Sequence, residues 1–298
     1  MEWRIPVPLA TAKVRLVDGG TILLRRHGNP CGRRLLISHA NGLSSDAYFP
    51  FWSLLAEQFD IILFDLRGHG ASPPGELIDH NVAMMAQDSR RVVRAVDQHF
   101  GEKPMIGVFH SVSATVAVLH AIEEDAYAAL VLFDPAICPP GIGNTRRDSL
   151  RAMGQQMAAQ ALRRQARFEN WEELAGAYRR SKAFECLRPG VADLLARTTL
   201  KRLPGGTGFE LCCPPVHEAQ MLGRIYEWAI GTNLETLRCP VKVIGGDPLA
   251  PFSFLPTVDP DLIVRIGYDF VPETTHFLQL EAPEECARLV TQFLASHL

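Results

Sequence analysis

Val108-Phe109-His110-Ser111-Val112-Ser113-Ala114 is the stretch on which the reading of this chain turns. An apolar, strand-like run (Met105, Ile106, Val108, Phe109) stops at Ser111, and a helix-compatible run from Ala114 to Ala121 follows at once. A serine on a sharp strand-to-helix turn has its hydroxyl pushed out of the fold, where a base and a substrate can reach it. The same serine could simply cap the helix. The usual form of such a turn is Gly-x-Ser-x-Gly, and here Phe109 and Ser113 stand where the glycines would be. A Phe109 ring directed into a pocket would narrow the acyl side.

Outward from that turn, strand-like runs occur at Ala12–Val17, Thr21–Arg26, Arg34–Ser38, Asp60–Phe64, Met105–Phe109, Ala129–Phe133, Val241–Gly245 and Leu262–Ile266. Helical patterns lie between most of them, at Phe49–Gln58, Asn81–Phe100, Ala114–Glu123 and Pro283–His297. Runs such as LLISH, IILFD and VLFD are apolar on both faces, as strands covered by helices on both sides must be. Alternation of strand and helix predicts a mostly parallel sheet. Only Asp18-Gly19-Gly20 separates the first two runs, which reads as an antiparallel hairpin at the sheet edge.

The pattern breaks between Pro139 and Thr236. Helical stretches rich in Arg and Ala (Arg147–Ala166, Trp171–Ser181, Val191–Leu200) are punctuated by Pro189-Gly190, Pro204-Gly205-Gly206 and Pro214-Pro215. The expected organisation is a core of residues 1–138 and 237–298 with a helical cap of residues 139–236. From Pro139 to Arg202 there are 13 Lys+Arg and 6 Asp+Glu, a local excess of +7 in a chain of net charge −3. Solvated faces of arginine-rich helices account for this; a lid that draws acidic substrates is the alternative.

Five segments in chain order point to one chemistry: His39-Ala40-Asn41-Gly42, Asp65 to Ser72, the Ser111 turn, Gly245-Gly246-Asp247, and Thr274-Thr275-His276-Phe277. Catalytic groups of an α/β sheet collect at the carboxyl ends of the strands. The order Ser…Asp…His is that of one version of the serine triad. A serine hydroxyl is a weak nucleophile until a neighbouring base takes its proton. Ser111 would be the nucleophile, His276 the base and Asp247 the carboxylate that orients the ring. Asp134, at the end of the strand LVLF, is the rival acid. Both aspartates precede a proline and could instead begin turns. His39, His69 and His110 read as structural.

The Asp65-x-Arg67-Gly68-His69-Gly70-x-Ser72 segment, with Gly245-Gly246-Asp247 and His276-Phe277, resembles the α/β-hydrolase superfamily over nearly the whole chain. The resemblance implies an eight-stranded sheet with helices on both faces, a helical cap, no cofactor and no metal. It also implies that the backbone N–H groups of Asn41 and Val112 form the oxyanion hole. Ala40 replaces the glycine common after the oxyanion-loop histidine. A serine at the elbow points to acyl chemistry rather than to relatives with an elbow aspartate.

The expected function is hydrolysis of a small or medium carboxylic ester or lactone. A carbon–carbon bond hydrolase or an acyltransferase with the same triad is the runner-up, and a non-catalytic ligand receptor is the reading from another class. A small-molecule substrate is the expected partner. The charge balance gives no bias toward nucleic acid or anionic membrane. No apolar stretch of about 18 residues spans a bilayer. The start, MEWRIPVPLATAKV, does not read as a secretory signal, and seven scattered cysteines do not form a disulfide framework. The cytoplasm is the default compartment. Oligomeric state is not legible.

Overall fold

The computed structural model describes residues 2–137, 144–224, 227, 229, 232–250 and 268–298. Its centre is an eight-stranded sheet. In chain order the strands are β1 (Ala10–Arg15), β2 (Thr21–Gly28), β3 (Arg33–Ser38), β4 (Phe59–Phe64), β5 (Met105–His110), β6 (Ala129–Phe133), β10 (Val241–Gly245) and β11 (Asp269–Phe270). They lie side by side as β1-β2-β4-β3-β5-β6-β10-β11. Strand β1 runs antiparallel to β2, and β2 antiparallel to β4. Every other neighbouring pair is parallel. The proposed strand Leu262–Ile266 lies outside the described residues.

The central strands have no exposed face. All six residues of β4, all six of β5 and all five of β6 are buried. Alternate residues feed two separate apolar clusters. Ile106 and Val108 of β5 pack on one side, and Met105 and Phe109 on the other. Each cluster is sealed by helices, among them α2 (Val82–Phe100) and α3 (Val112–Glu123) on the Phe109 side and α9 (Pro283–His297) on the other. Asn81 starts α2 by accepting the Met84 N–H at 3.0 Å, and Gly101, at φ 82°, ends it.

Between β6 and β10 the chain forms α4 (Asn144–Ala161), α5 (Trp171–Arg180), α6 (Val191–Thr199) and α7 (Pro215–Gly223). It also forms what the helical reading of this region lacked: a small antiparallel sheet of β7 (Arg167–Phe168), β9 (Phe209–Leu211) and β8 (Leu200–Arg202). Strands of two or three residues are too short for an alternation pattern to register. The Phe49–Gln58 helix is likewise shorter than its pattern, ending as α1 (Phe49–Trp52) followed by a 3₁₀ turn, Ser53–Leu55.

Candidate active site

Ser111 occupies the first turn after β5, with φ 56° and ψ −118°. A non-glycine residue there costs about 1–3 kcal/mol and persists only where its surroundings enforce it. Here the enforcement is visible. The Ser111 N–H donates to Phe133 O at 2.9 Å, tying the turn to β6. Ser113 closes it from the other side: its Oγ accepts the His110 N–H at 3.0 Å and donates to His110 O at 2.9 Å. The serine at the usual glycine position therefore staples the elbow.

Phe109 does not narrow the pocket. Its ring is absent from the cavity lining and packs in the core, edge-on to Phe64 and Tyr127 at centroid distances of 6.3 and 5.8 Å. Room for it comes from Gly107, on the same face two residues earlier. A β-carbon on Gly107 would lie 2.4 Å from Phe109 Cε2.

His276 stands before a short helix, α8 (Leu278–Glu281). Its Nδ1 lies 2.5 Å from Asp134 Oδ2. Asp134 follows β6, has φ 37° and is completely buried. The acid assigned to Asp247 is thus corrected: the carboxylate on His276 is that of Asp134. Register explains the difference. Ile244 of β10 pairs with Phe133 of β6, so Gly245 is level with Asp134 and Asp247 lies two residues further along. There the Asp247 carboxylate accepts the N–H groups of Leu249 at 2.9 Å and Glu273 at 3.0 Å, and these bonds hold it below the usual carboxylate range. Its own N–H donates to Thr274 O at 2.8 Å. Asp247 shapes the turn that delivers the histidine segment.

Glu281, which the sequence did not single out, clamps that segment. Its two carboxylate oxygens accept the Thr275 N–H and the Thr275 hydroxyl, each at 2.6 Å. Burial raises its carboxyl above the ordinary range, against the lowering effect of these bonds.

The loop around Asn41 is fixed by three buried histidines, and the partners of His39 and His69 assign their tautomers. His39 Nε2 accepts the Leu66 N–H at 3.0 Å, so its Nδ1 donates to Ala40 O at 2.8 Å. His69 Nε2 accepts the Gly42 N–H at 3.0 Å, so its Nδ1 donates to Arg67 O at 2.9 Å. Tyr48 accepts the Ala40 N–H at 3.2 Å, and its hydroxyl shares a hydrogen bond with His110 Nδ1 at 2.5 Å. Burial lowers the pKa of all three rings, which fixes them as neutral partners. The Asn41 side chain is tied to the cap, its Nδ2 donating to Glu218 O in α7 at 3.1 Å. Gly42 has φ 76°, and the Glu218 carboxylate would lie 3.1 Å from a β-carbon there. Both reasons require glycine.

Ala40, Asn41, Ser111, Val112 and His276 all line one cavity of ≈ 140 Å³. Val112 opens α3, so its N–H is among the first four of the helix, which have no intrahelical acceptor. Met221 also lines this cavity. Among the described residues, His69, His80 and Cys213 bring potential metal-ligand atoms within 4.8 Å of one another. Both nitrogens of His69 are already committed to Arg67 and Gly42, and burial raises the Cys213 thiol well above its ordinary range. This set does not offer the lone pairs a cation needs.

The elbow serine thus follows β5, its histidine's carboxylate partner follows β6, and the histidine itself comes after β11. Residues 35–289 match the model of the alpha/beta hydrolase family. The chain belongs to the alpha/beta hydrolase family. Among curated proteins it is similar to the abhydrolase domain-containing protein ACTT2 of Alternaria alternata, 25% identical over 233 residues, covering 65% of this chain and 84% of that protein. Among solved structures it is similar to E-2-(acetamidomethylene)succinate hydrolase, with a TM-score of 0.71, 21% identity, and coverage of 96% of this chain and 100% of that one. The thioesterase domain from the curacin biosynthetic pathway superposes with a TM-score of 0.68 at 19% identity, covering 95% and 99%. A thermophilic esterase from Thermogutta terrifontis does so with 0.65 at 18%, covering 97% and 100%. At such identities the structural likeness establishes the fold. The family has hydrolases among these relatives, and no helix among the described residues is long and apolar enough to cross a membrane.

Proposed function

We propose that this hydrolase-family chain cleaves small or medium carboxylic esters or lactones through an acyl-enzyme on Ser111. The observation that carries the reading is the His276–Asp134 pair opening on the same cavity as the strained elbow serine. Asp134 accepts the Nδ1–H of His276, which leaves Nε2 as the lone pair that takes the Ser111 proton. The serine oxygen attacks the carbonyl carbon. The oxyanion that forms is met by the N–H groups of Val112 and Asn41, and losing one such donor typically costs about 3 kcal/mol of transition-state stabilisation. His276 then gives its proton to the leaving oxygen. Water, deprotonated by the same ring, releases the acyl group. No step calls for a metal or cofactor. The described cysteines are free thiols, which fits a reducing, cytoplasmic setting.

Ser111→Ala tests this directly. Turnover of an activated ester should vanish and a fluorophosphonate should no longer add its mass to the chain, with the folded structure kept. Unchanged turnover would sink the proposal. Product analysis with and without an acceptor alcohol separates hydrolysis from acyl transfer, and a diketone substrate tests carbon–carbon cleavage. Tight binding without labelling would mark a receptor.

A further inference from the structure

A second cavity, of ≈ 480 Å³, adjoins the first and shares Asn41, Met157, Glu218, Leu222 and Phe277 with it. The elbow cavity, at ≈ 140 Å³, is smaller than ordinary small-molecule sites. The larger one falls within the ≈ 300–1,000 Å³ of ordinary small-molecule sites. Its wall is mainly apolar, formed by Phe168, Leu174 and the stacked rings of Phe184 and Phe277, whose centroids are 4.7 Å apart. Two charges face it, Arg164 and Glu218.

These two form an ion pair, Arg164 Nη1 to Glu218 Oε2. Arg164 Nη2 lies 3.5 Å from the Tyr178 hydroxyl. Burial works against the charge on Arg164, and Glu218, helped by Tyr178 and Cys213, more than offsets it. Glu218 is itself anchored, since its carbonyl accepts Asn41 Nδ2 and its carboxylate lies over Gly42. The local excess of +7 in the cap therefore does not carry over into the cavity. An incoming carboxylate would gain from Arg164 and lose to Glu218, without recovering its own desolvation.

We infer that this cavity is the subsite for a neutral, largely apolar extension of the substrate, and that Glu218 excludes carboxylates from it by neutralising Arg164. Specificity of this kind rests on a repulsive element as well as on fit. The inference rests on the ester-hydrolase reading, in which the scissile carbonyl sits at Ser111.

The test uses two probes that differ only at the end remote from the carbonyl: hexanamide, and the mono-amide of adipic acid, which ends in a carboxylate. Calorimetry on the full chain should show hexanamide binding at least 10-fold more tightly. Glu218→Gln should improve the mono-amide at least 10-fold relative to hexanamide, and Arg164→Gln should worsen it. The corresponding nitrophenyl esters should follow the same ratios in kcat/KM. Equal binding of the two amides by the unaltered protein, or an unchanged ratio in Glu218→Gln, overturns the inference. If Glu218→Gln does not fold, Arg164→Gln decides, and an unchanged ratio there is equally fatal. Binding and turnover separate the two claims: the amide ratios hold or fail whether or not the esters are cleaved, while absence of fluorophosphonate labelling at Ser111 defeats the ester reading alone.

Discussion

Asp134 Oδ2 and His276 Nδ1 are 2.5 Å apart, and Asp134 comes from the strand next to the one that bears the elbow. Asp134→Asn should therefore lower kcat/KM for an activated ester by about 10⁴-fold, because an amide there favours the wrong tautomer. Asp247→Asn should stay within a few-fold of the unaltered protein and show its effect in stability, through the weakened turn at Leu249 and Glu273. Steady-state kinetics on the pair of variants checks the assignment, and the reverse ranking would return the role to Asp247.

The backbone of Ser111 makes a stability prediction opposite in sign to its activity prediction. The serine side chain makes no capping bond to α3, so its removal forfeits nothing there. Ser111→Gly relieves strain of about 1–3 kcal/mol and gives back about 0.4–1 kcal/mol in unfolded-state entropy. A gain of about 1 kcal/mol is expected, a rise in thermal midpoint of about 2 °C, in a protein that no longer turns over ester. Differential scanning calorimetry reads it.

Glu281 acts through Thr275 on the residue that follows it. Glu281→Gln keeps the shape but loses one of two acceptors. A displacement of the ring on the order of 1 Å is expected to slow the chemical step about 10-fold or more. The loss should fall on kcat and on the rate of fluorophosphonate labelling, with KM little changed. A proportional rise in KM would mean that the clamp shapes binding instead.

Buried histidines set the response to acid. Burial lowers His39, His69 and His110, and takes His27 and His120 to about 4 and His80 to about 3. For a group whose folded pKa is depressed, its stabilising contribution is present above the unfolded value, about 6.5 for histidine, and is lost as pH falls toward the folded one. Each such ring should withdraw about 2 kcal/mol between pH 7.5 and 5. Urea midpoints should fall steeply across the imidazole range. A flat profile down to pH 5 would show that these rings do not stay neutral.

Much of this arrangement was legible in sequence. Ala129–Phe133, Val241–Gly245 and Pro283–His297 have the bounds their patterns predict, since strands buried on both faces and an amphipathic terminal helix write themselves in apolar spacing. The acid was not decidable. Asp134-Pro135 and Asp247-Pro248 each follow an apolar strand, and only the folded contact of His276 Nδ1 with Asp134 Oδ2 shows which carboxylate meets the histidine. Arg164, Glu218 and Glu281 were missed because ordinary charged residues on helices carry no local mark. The sole hint for Glu281 was its position five residues beyond a candidate base.

Gly107 and Phe109 exchange volume across two positions of one strand. Alanine at 107 alone drives a β-carbon into a ring that has nowhere to go. The double replacement, with glycine restored at 109, frees that space again, so the two sites are expected to be strongly non-additive. Such dependence makes the two positions one unit of packing. A β-carbon at 107 and a ring at 109 claim the same space, so a change at either position is accommodated only by an answering change at the other.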